Sequence, residues 1–232
     1  MSGILDLTKS YGFFKPESVK SRIHIVGCGS VGSTLAENLA RCGMTKMTLY
    51  DFDSVEPRNI VNQMFTQKHV GMTKVDALKD ILTEINPACA SDVTLKPEGW
   101  NGELISGYVF LCPDSIEVRR DFVEKHMASK FIKTVFDIRT MLEGAQHYAA
   151  DWKSEKAKQY LLSTMQFSHE EAAAETPVTA CGVTLGVCQT VRIICGFATQ
   201  NFIHFVKNEG YKKFIQYNFQ NGCLFLDEFD GE

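Results

Sequence analysis

Eight cysteines stand in this chain without one Cys-x-x-Cys pair. Such a count could suggest metal or disulfides, but the missing spacing argues against a zinc knuckle. Basic charge is also short: 24 Lys and Arg against 28 Asp and Glu leave a formal net charge of −4. Nothing general therefore draws the protein to nucleic acid or to an anionic membrane, and neither is expected as a partner. The first ten residues lack the basic-then-apolar pattern of a secretory signal, so a cytoplasmic location is expected. An uninterrupted membrane-spanning run is lacking too. The most apolar stretch, from Gly182 to Val206, is broken by Gln189, Arg192, Gln200, Asn201 and His204, and reads as a buried helix of a soluble protein. Internal repeats and low-complexity tracts are absent.

What remains is an ordinary globular composition, 44% hydrophobic and 22% charged over 232 residues, enough for one domain with a sizeable core. Ile23-His-Ile-Val-Gly-Cys-Gly-Ser-Val-Gly32 reads as a strand, a glycine turn and the start of a helix, and Lys46–Asp53 as a second strand ending in carboxylates. That is a nucleotide-binding βαβ pattern. Gly27 suits the tight turn, Gly29 the close approach of backbone to phosphate, and Gly32 close packing of helix on strand. The open amides at the helix start would face an anion.

Strands are predicted at 22–27, 46–51, 91–95, 107–112 and 132–137, with helices near 31–42, 74–85 and 115–127. Asn86-Pro87 stops the second helix. This alternation predicts an α/β, Rossmann-like fold: a mostly parallel sheet with helices on both faces. After residue 137 the pattern changes. A strand is predicted at 142–149 and a mobile loop or lid over 152–176, where core signal is sparse. A long apolar helix follows over 179–208, then a hairpin of 212–218 and 222–226 around Gln220-Asn221-Gly222, adding antiparallel strands on the C-terminal side. Cys181, Cys188 and Cys195 recur every seven residues, so they share a helix face; small packed side chains explain Cys188 and Cys195 without a metal.

The glycine pattern alone is shared by users of NAD, FAD, methyl donors and ATP. The string that follows is more specific: Asp51-Phe-Asp-Ser-Val-Glu-Pro-Arg-Asn59, then Asn62-Gln63-Met-Phe65, Val70-Gly-Met-Thr-Lys74, Asn86-Pro87 and Cys112-Pro-Asp114. In that order, over residues 20 to 140, the chain resembles the ThiF/MoeB-like adenylyltransferases. These include the activating domains of ubiquitin-activating enzymes and the enzymes that adenylate sulfur-carrier proteins. The C-terminal third resembles the family only loosely.

The resemblance implies an enzyme that uses ATP and Mg²⁺ to convert the C-terminal carboxylate of a small ubiquitin-like or sulfur-carrier protein, or of a peptide, into an acyl-adenylate with release of pyrophosphate. It implies nucleotide contacts from Gly27, Gly29, Gly32, Asp51, Asp53, Asn59, Asn62, Gln63 and Lys74, with Asp51 on the ribose hydroxyls and Asn59 and Lys74 on the phosphates. Asp114 would hold Mg²⁺; read locally, it could also cap the helix near 115. Asp53 and Gln63 could equally brace their loop through backbone amides. It further implies one adenylation domain over 1–232, with 1–140 as the nucleotide-binding half and 141–232 as crossover loop, long helix and hairpin, and a homodimer. Cys181, expected to open the long helix where a thiol pKa falls, is the candidate acyl acceptor, or else one more packed cysteine.

Two positions depart from the family pattern. Asn62 stands where an arginine is usual and cannot bring positive charge to phosphate. Near the N-terminus, where an arginine often crosses a dimer interface, only Lys9 is available. Two other readings stay open: a nucleotide-binding scaffold subunit without catalysis, which Asn62 favours, and an NAD-dependent oxidoreductase, which the glycine turn permits.

Overall fold

The computed structural model describes residues 5–168, 170–171 and 185–228. Its centre is an eight-stranded sheet in the order β3-β2-β1-β4-β5-β6-β7-β8. Five strands run parallel: β1 (Ile23–Val26), β2 (Met47–Tyr50), β3 (Thr94–Lys96), β4 (Gly107–Leu111) and β5 (Ile132–Thr140). The last three, β6 (Gly144–Asp151), β7 (Lys212–Asn218) and β8 (Cys223–Glu228), continue antiparallel. β1, β2 and β4 are buried at every residue, as strands covered on both faces should be, and so they read in sequence as apolar runs.

Alternate side chains of these strands feed two cores. Ile25, Leu49, Phe110 and Phe136 face α1 (Ser30–Arg41), α2 (Lys74–Ile85) and the long helix, named α6 below; Val26, Tyr50, Val109 and Val135 face α4 (Ile116–His126) and α5 (Glu155–Ser163). Both faces are thus covered, and the Rossmann-like expectation holds. The chain leaves β1 toward β2 on one side and returns to β4 on the other, so a switch point opens between β1 and β4 at their carboxyl ends. Open α/β sheets place ligands in that crevice.

Several expectations are corrected. The third strand begins at Thr94, because a short helix, α3 (Cys89–Asp92), occupies the preceding turn; Asn86 Oδ1 accepts from the Ala88 N–H and starts it. Within 152–176, residues 155–163 form α5, not a mobile loop. Ser154 caps it by accepting from the Ala157 N–H, Ala157, Leu161 and Met165 are buried, and Lys158 Nζ donates to the Met127 carbonyl. The long helix, α6 (Cys188–Lys207), starts later than predicted: residues 185–187 are not helical. Cys188 therefore opens it and is exposed, while Cys195 is packed as expected. Asn208, at φ 55°, ends it in the left-handed region. Among the described residues no helix is long and apolar enough to cross a membrane.

Candidate functional site

The three glycines at the end of β1 have three separate reasons. Gly27 sits at φ +88°, donates its N–H to Tyr50 O, and would place a Cβ 2.7 to 2.9 Å from Pro113 N and the Cys112 carbonyl. A Cβ on Gly32 would lie 1.9 Å from the Gly27 carbonyl oxygen, so only glycine lets α1 seat against the turn. Gly29 differs: a Cβ there would meet nothing within 4 Å. It is the N-cap of α1 without a side-chain cap bond, so the helix start opens on space with donor groups leading. That is the geometry of an anion cradle.

Asp51 is tied to this turn. Its Oδ2 accepts from the Cys28 N–H (2.6 Å) and its Oδ1 from the Asp53 N–H (2.9 Å). The carboxylate expected on a ribose thus also braces the glycine turn against the loop after β2. Burial raises its pKa, opposed by Lys74 and by the two amide bonds. Lys74 is itself buried, at 7% exposure, with Nζ 2.7 Å from Asp53 Oδ2 and 4.0 Å from Asp51 Oδ1. A merely solvated lysine at a helix start is excluded by that burial. Its backbone is fixed as well: Lys74 N–H donates to Asp53 O, Val55 N–H to Met72 O, and Thr73 caps α2 by accepting from the Asp76 N–H. The positive charge at this helix start, unfavourable to the dipole alone, is balanced by the two carboxylates.

Between these anchors, Asn59 forms a reciprocal box with Glu56: Asn59 Oδ1 accepts from the Glu56 N–H, and the Glu56 side chain from the Asn59 N–H. Its NH₂ group is left uncommitted to the box. Asn62 lies against Gly186, where a Cβ would sit 2.5 Å from its Nδ2, so the approach to α6 leans on this loop. Gln63 Oε1 is buried without a hydrogen-bond partner among the described residues. A buried, unmatched amide oxygen is unusual.

Asp114 is exposed beyond the carboxyl end of β4. Its Oδ1 accepts from the Ser115 N–H, and the cap of α4 belongs to Ser115, whose hydroxyl accepts from the Val118 N–H. The sequence reading had offered Asp114 as that cap; the structure reassigns it and leaves the second Asp114 oxygen without a partner among the described residues. These residues hold no cluster of three or more metal-ligating side chains. A lone carboxylate of this kind fits Mg²⁺, which is commonly held by one or two carboxylates together with phosphate oxygens.

Gly27, Gly29, Gly32, Asp51, Asp53, Lys74 and Asp114 are therefore gathered on one rim of the sheet, with Asn59, Asn62 and Gln63 on the loop beside it. Cys181 lies outside the described residues. Sequence reasoning missed Arg119, a buried charge on the stripe Ile116, Arg119, Phe122 and Val123 of α4, paired with fully buried Asp137 on β5. The signal was available: an arginine inside an otherwise apolar helical stripe requires a buried partner.

Fold and rim together define a doubly wound α/β protein with a nucleotide-type glycine turn. The ThiF family model matches residues 17–229, and the chain belongs to that family. Ubiquitin-like modifier-activating enzyme 5 of Oryza sativa subsp. japonica is 45% identical over 86 residues, and that of Arabidopsis thaliana 44% over 86; both matches cover 37% of this chain, but only 20% and 19% of those proteins. Among solved structures, MccB of E. coli with ATP superposes with a TM-score of 0.70 at 14% identity, covering 92% of this chain and 65% of that one. PaaA superposes at 0.67 and 18%, with the same coverage. The chain thus accounts for less than two thirds of the length of these relatives.

Proposed function

We propose that the chain is an ATP-dependent adenylyltransferase acting on the C-terminal carboxylate of a small ubiquitin-like or sulfur-carrier protein or of a peptide. The observation that carries this is the rim itself: an open glycine turn and a buried lysine held between two carboxylates within one hydrogen-bonded unit. Family membership, the names of the modifier-activating relatives, and the crystallisation of MccB with ATP and with AMPCPP and MccA support it. Residues 1–232 are read as one adenylation domain, working as a cytoplasmic homodimer.

A peptide carboxylate is already ionised at neutral pH, so no general base is needed. It attacks the α-phosphorus of ATP, a new C–O–P bond forms, the bond from the α-phosphorus to its bridging oxygen breaks, and pyrophosphate leaves with the electron pair. The α1 start, the Gly29 backbone and Asn59 receive phosphate, Lys74 balances the charge growing on the leaving group, and Asp51 orients the nucleoside. Mg²⁺, held by Asp114 and phosphate oxygens, would supply further charge neutralisation. Transfer of the acyl group to a thiol, with Cys181 as acceptor, is the optional second step.

The test is thermal. A ligand at a hundred times its Kd adds about 2.7 kcal/mol, or roughly 5–11 °C in Tm for a chain of this size. ATP with Mg²⁺ is expected to give that shift, and Lys74→Ala or Asp114→Ala to lose it; a shift with NADH and none with ATP overturns the proposal. Asn62 favours one second reading, a scaffold that binds ATP without turnover. Pyrophosphate release in the presence of candidate carriers separates the two.

A further inference from the structure

Asp114 is presented by a segment that has few backbone handles of its own. The last ladder bond of this stretch is Cys112 N–H to Val26 O. Pro113 has no N–H, so its carbonyl is the one hydrogen-bonding group of the residue before Asp114. On one side the segment is pressed against Gly27, where any Cβ would collide with Cys112 and Pro113. On the other side stands the Arg119 guanidinium. Nη1 donates to Leu111 O (3.0 Å) and to Asp137 Oδ1, and Nη2 donates to Pro113 O. The group is nearly fully buried. Asp137 divides its two oxygens: Oδ1 takes Arg119, while Oδ2 takes Nε and Nη2 of Arg139, whose Nη1 and Nη2 also donate to Thr164 O and Oγ1.

We infer that Arg119 is a positioning residue for the metal carboxylate: it clamps the 111–113 segment against the glycine turn and so sets where Asp114 stands relative to the phosphates. The inference rests on the proposed role of Asp114. A planar fork with fixed donors can hold two carbonyls and a carboxylate together; an ammonium on a flexible stem cannot hold all three in one plane. Arg139 is the internal control, because it neutralises the same buried carboxylate without gripping the segment.

The experiment measures Mn²⁺ binding, as a stand-in for Mg²⁺, by electron paramagnetic resonance in the presence of saturating AMPCPP, so that no turnover is needed. Arg119→Lys is expected to weaken Mn²⁺ binding about tenfold while AMPCPP binding in EDTA stays within about twofold of the parent. Arg139→Lys is expected to leave both within about twofold. If Arg119→Lys does not fold, Arg119→Gln at 10 °C, which keeps a planar donor for one carbonyl, is expected to show an intermediate loss. Equal losses for the Arg119 and Arg139 variants, or none for Arg119, would overturn the positioning role. Asp114→Ala separates the two levels. If it leaves Mn²⁺ binding intact, the metal role of Asp114 and the inference fall together; if it abolishes binding while Arg119 variants do not respond, only the inference falls.

Discussion

Lowering the pH should destabilise this protein through its buried histidines, and His147 allows the effect to be isolated. It is fully buried between β6 and α6, with Nε2 3.0 Å from Asn201 Nδ2 and Nδ1 without a partner among the described residues. Burial drives its pKa from 6.5 down to about 4. The folded state therefore resists a proton that the unfolded chain accepts: stability is full above pH 6.5 and is lost as the pH falls toward 4. At pH 4.5 the difference in proton binding amounts to about 2.5 kcal/mol for this one side chain. His24, held by the Tyr50 hydroxyl and Ser106 carbonyl and likewise lowered to about 4 by burial, adds a similar amount. Urea unfolding at pH 7.5, 5.5 and 4.5 reads the loss directly. His147→Phe keeps a ring stacked on Phe136; it exchanges one unmet N–H, on His147, for another, on Asn201, so it is expected within about 1 kcal/mol of the parent at pH 7.5. At pH 4.5 it should be more stable than the parent by about 2 kcal/mol. A variant that loses as much stability on acidification as the parent would refute the reasoning.

Gly29 and Gly32 should separate binding from folding. Gly32→Ala drives a methyl into the Gly27 carbonyl oxygen and is expected to cost about 3 kcal/mol or more, or roughly 6–12 °C in Tm; Gly29→Ala should keep the fold yet remove most of the ATP–Mg²⁺ shift. Alkylation of the native protein followed by peptide mapping should label Cys188, which is exposed at the start of α6, well before Cys28, Cys112 and Cys195. Burial raises the pKa of the latter three thiols, and reaction of Cys28 at the rate of Cys188 would contradict the packing beneath the glycine turn.

β1, β2 and β4 were legible because they are short, largely apolar runs alternating with amphipathic helices, as parallel strands covered on both faces are. Gly27 and Gly32 were legible because each has a steric reason that no other residue meets, whereas Gly29 was legible from the anion-binding pattern alone, since a Cβ there would meet nothing. α5 was not: the fully buried residues in and just after it, Ala157, Leu161 and Met165, are interspersed with Lys, Glu and Gln, and one bond that secures it, Lys158 on the Met127 carbonyl, lies across the fold. The start of α6 was missed because apolar residues continue upstream of it and no side chain caps it. Asp51 was recognised as a site residue, but its bond to the Cys28 amide could not be read from spacing, since it joins two loops brought together only by the sheet.

The grouping of Lys74 with Asp51 and Asp53 has a consequence for what can enter. With Asp114 on the same rim, three carboxylates share it with one ammonium, so the formal sum of these four groups is −2 before any nucleotide arrives. Uncomplexed ATP would meet repulsion from this rim that only the amide dipoles of α1 oppose, and added monovalent salt should ease its entry instead of weakening it. Divalent metal would then strengthen binding by cancelling that repulsion: the rim disfavours the free polyanion and prefers the nucleotide that brings its own countercharge.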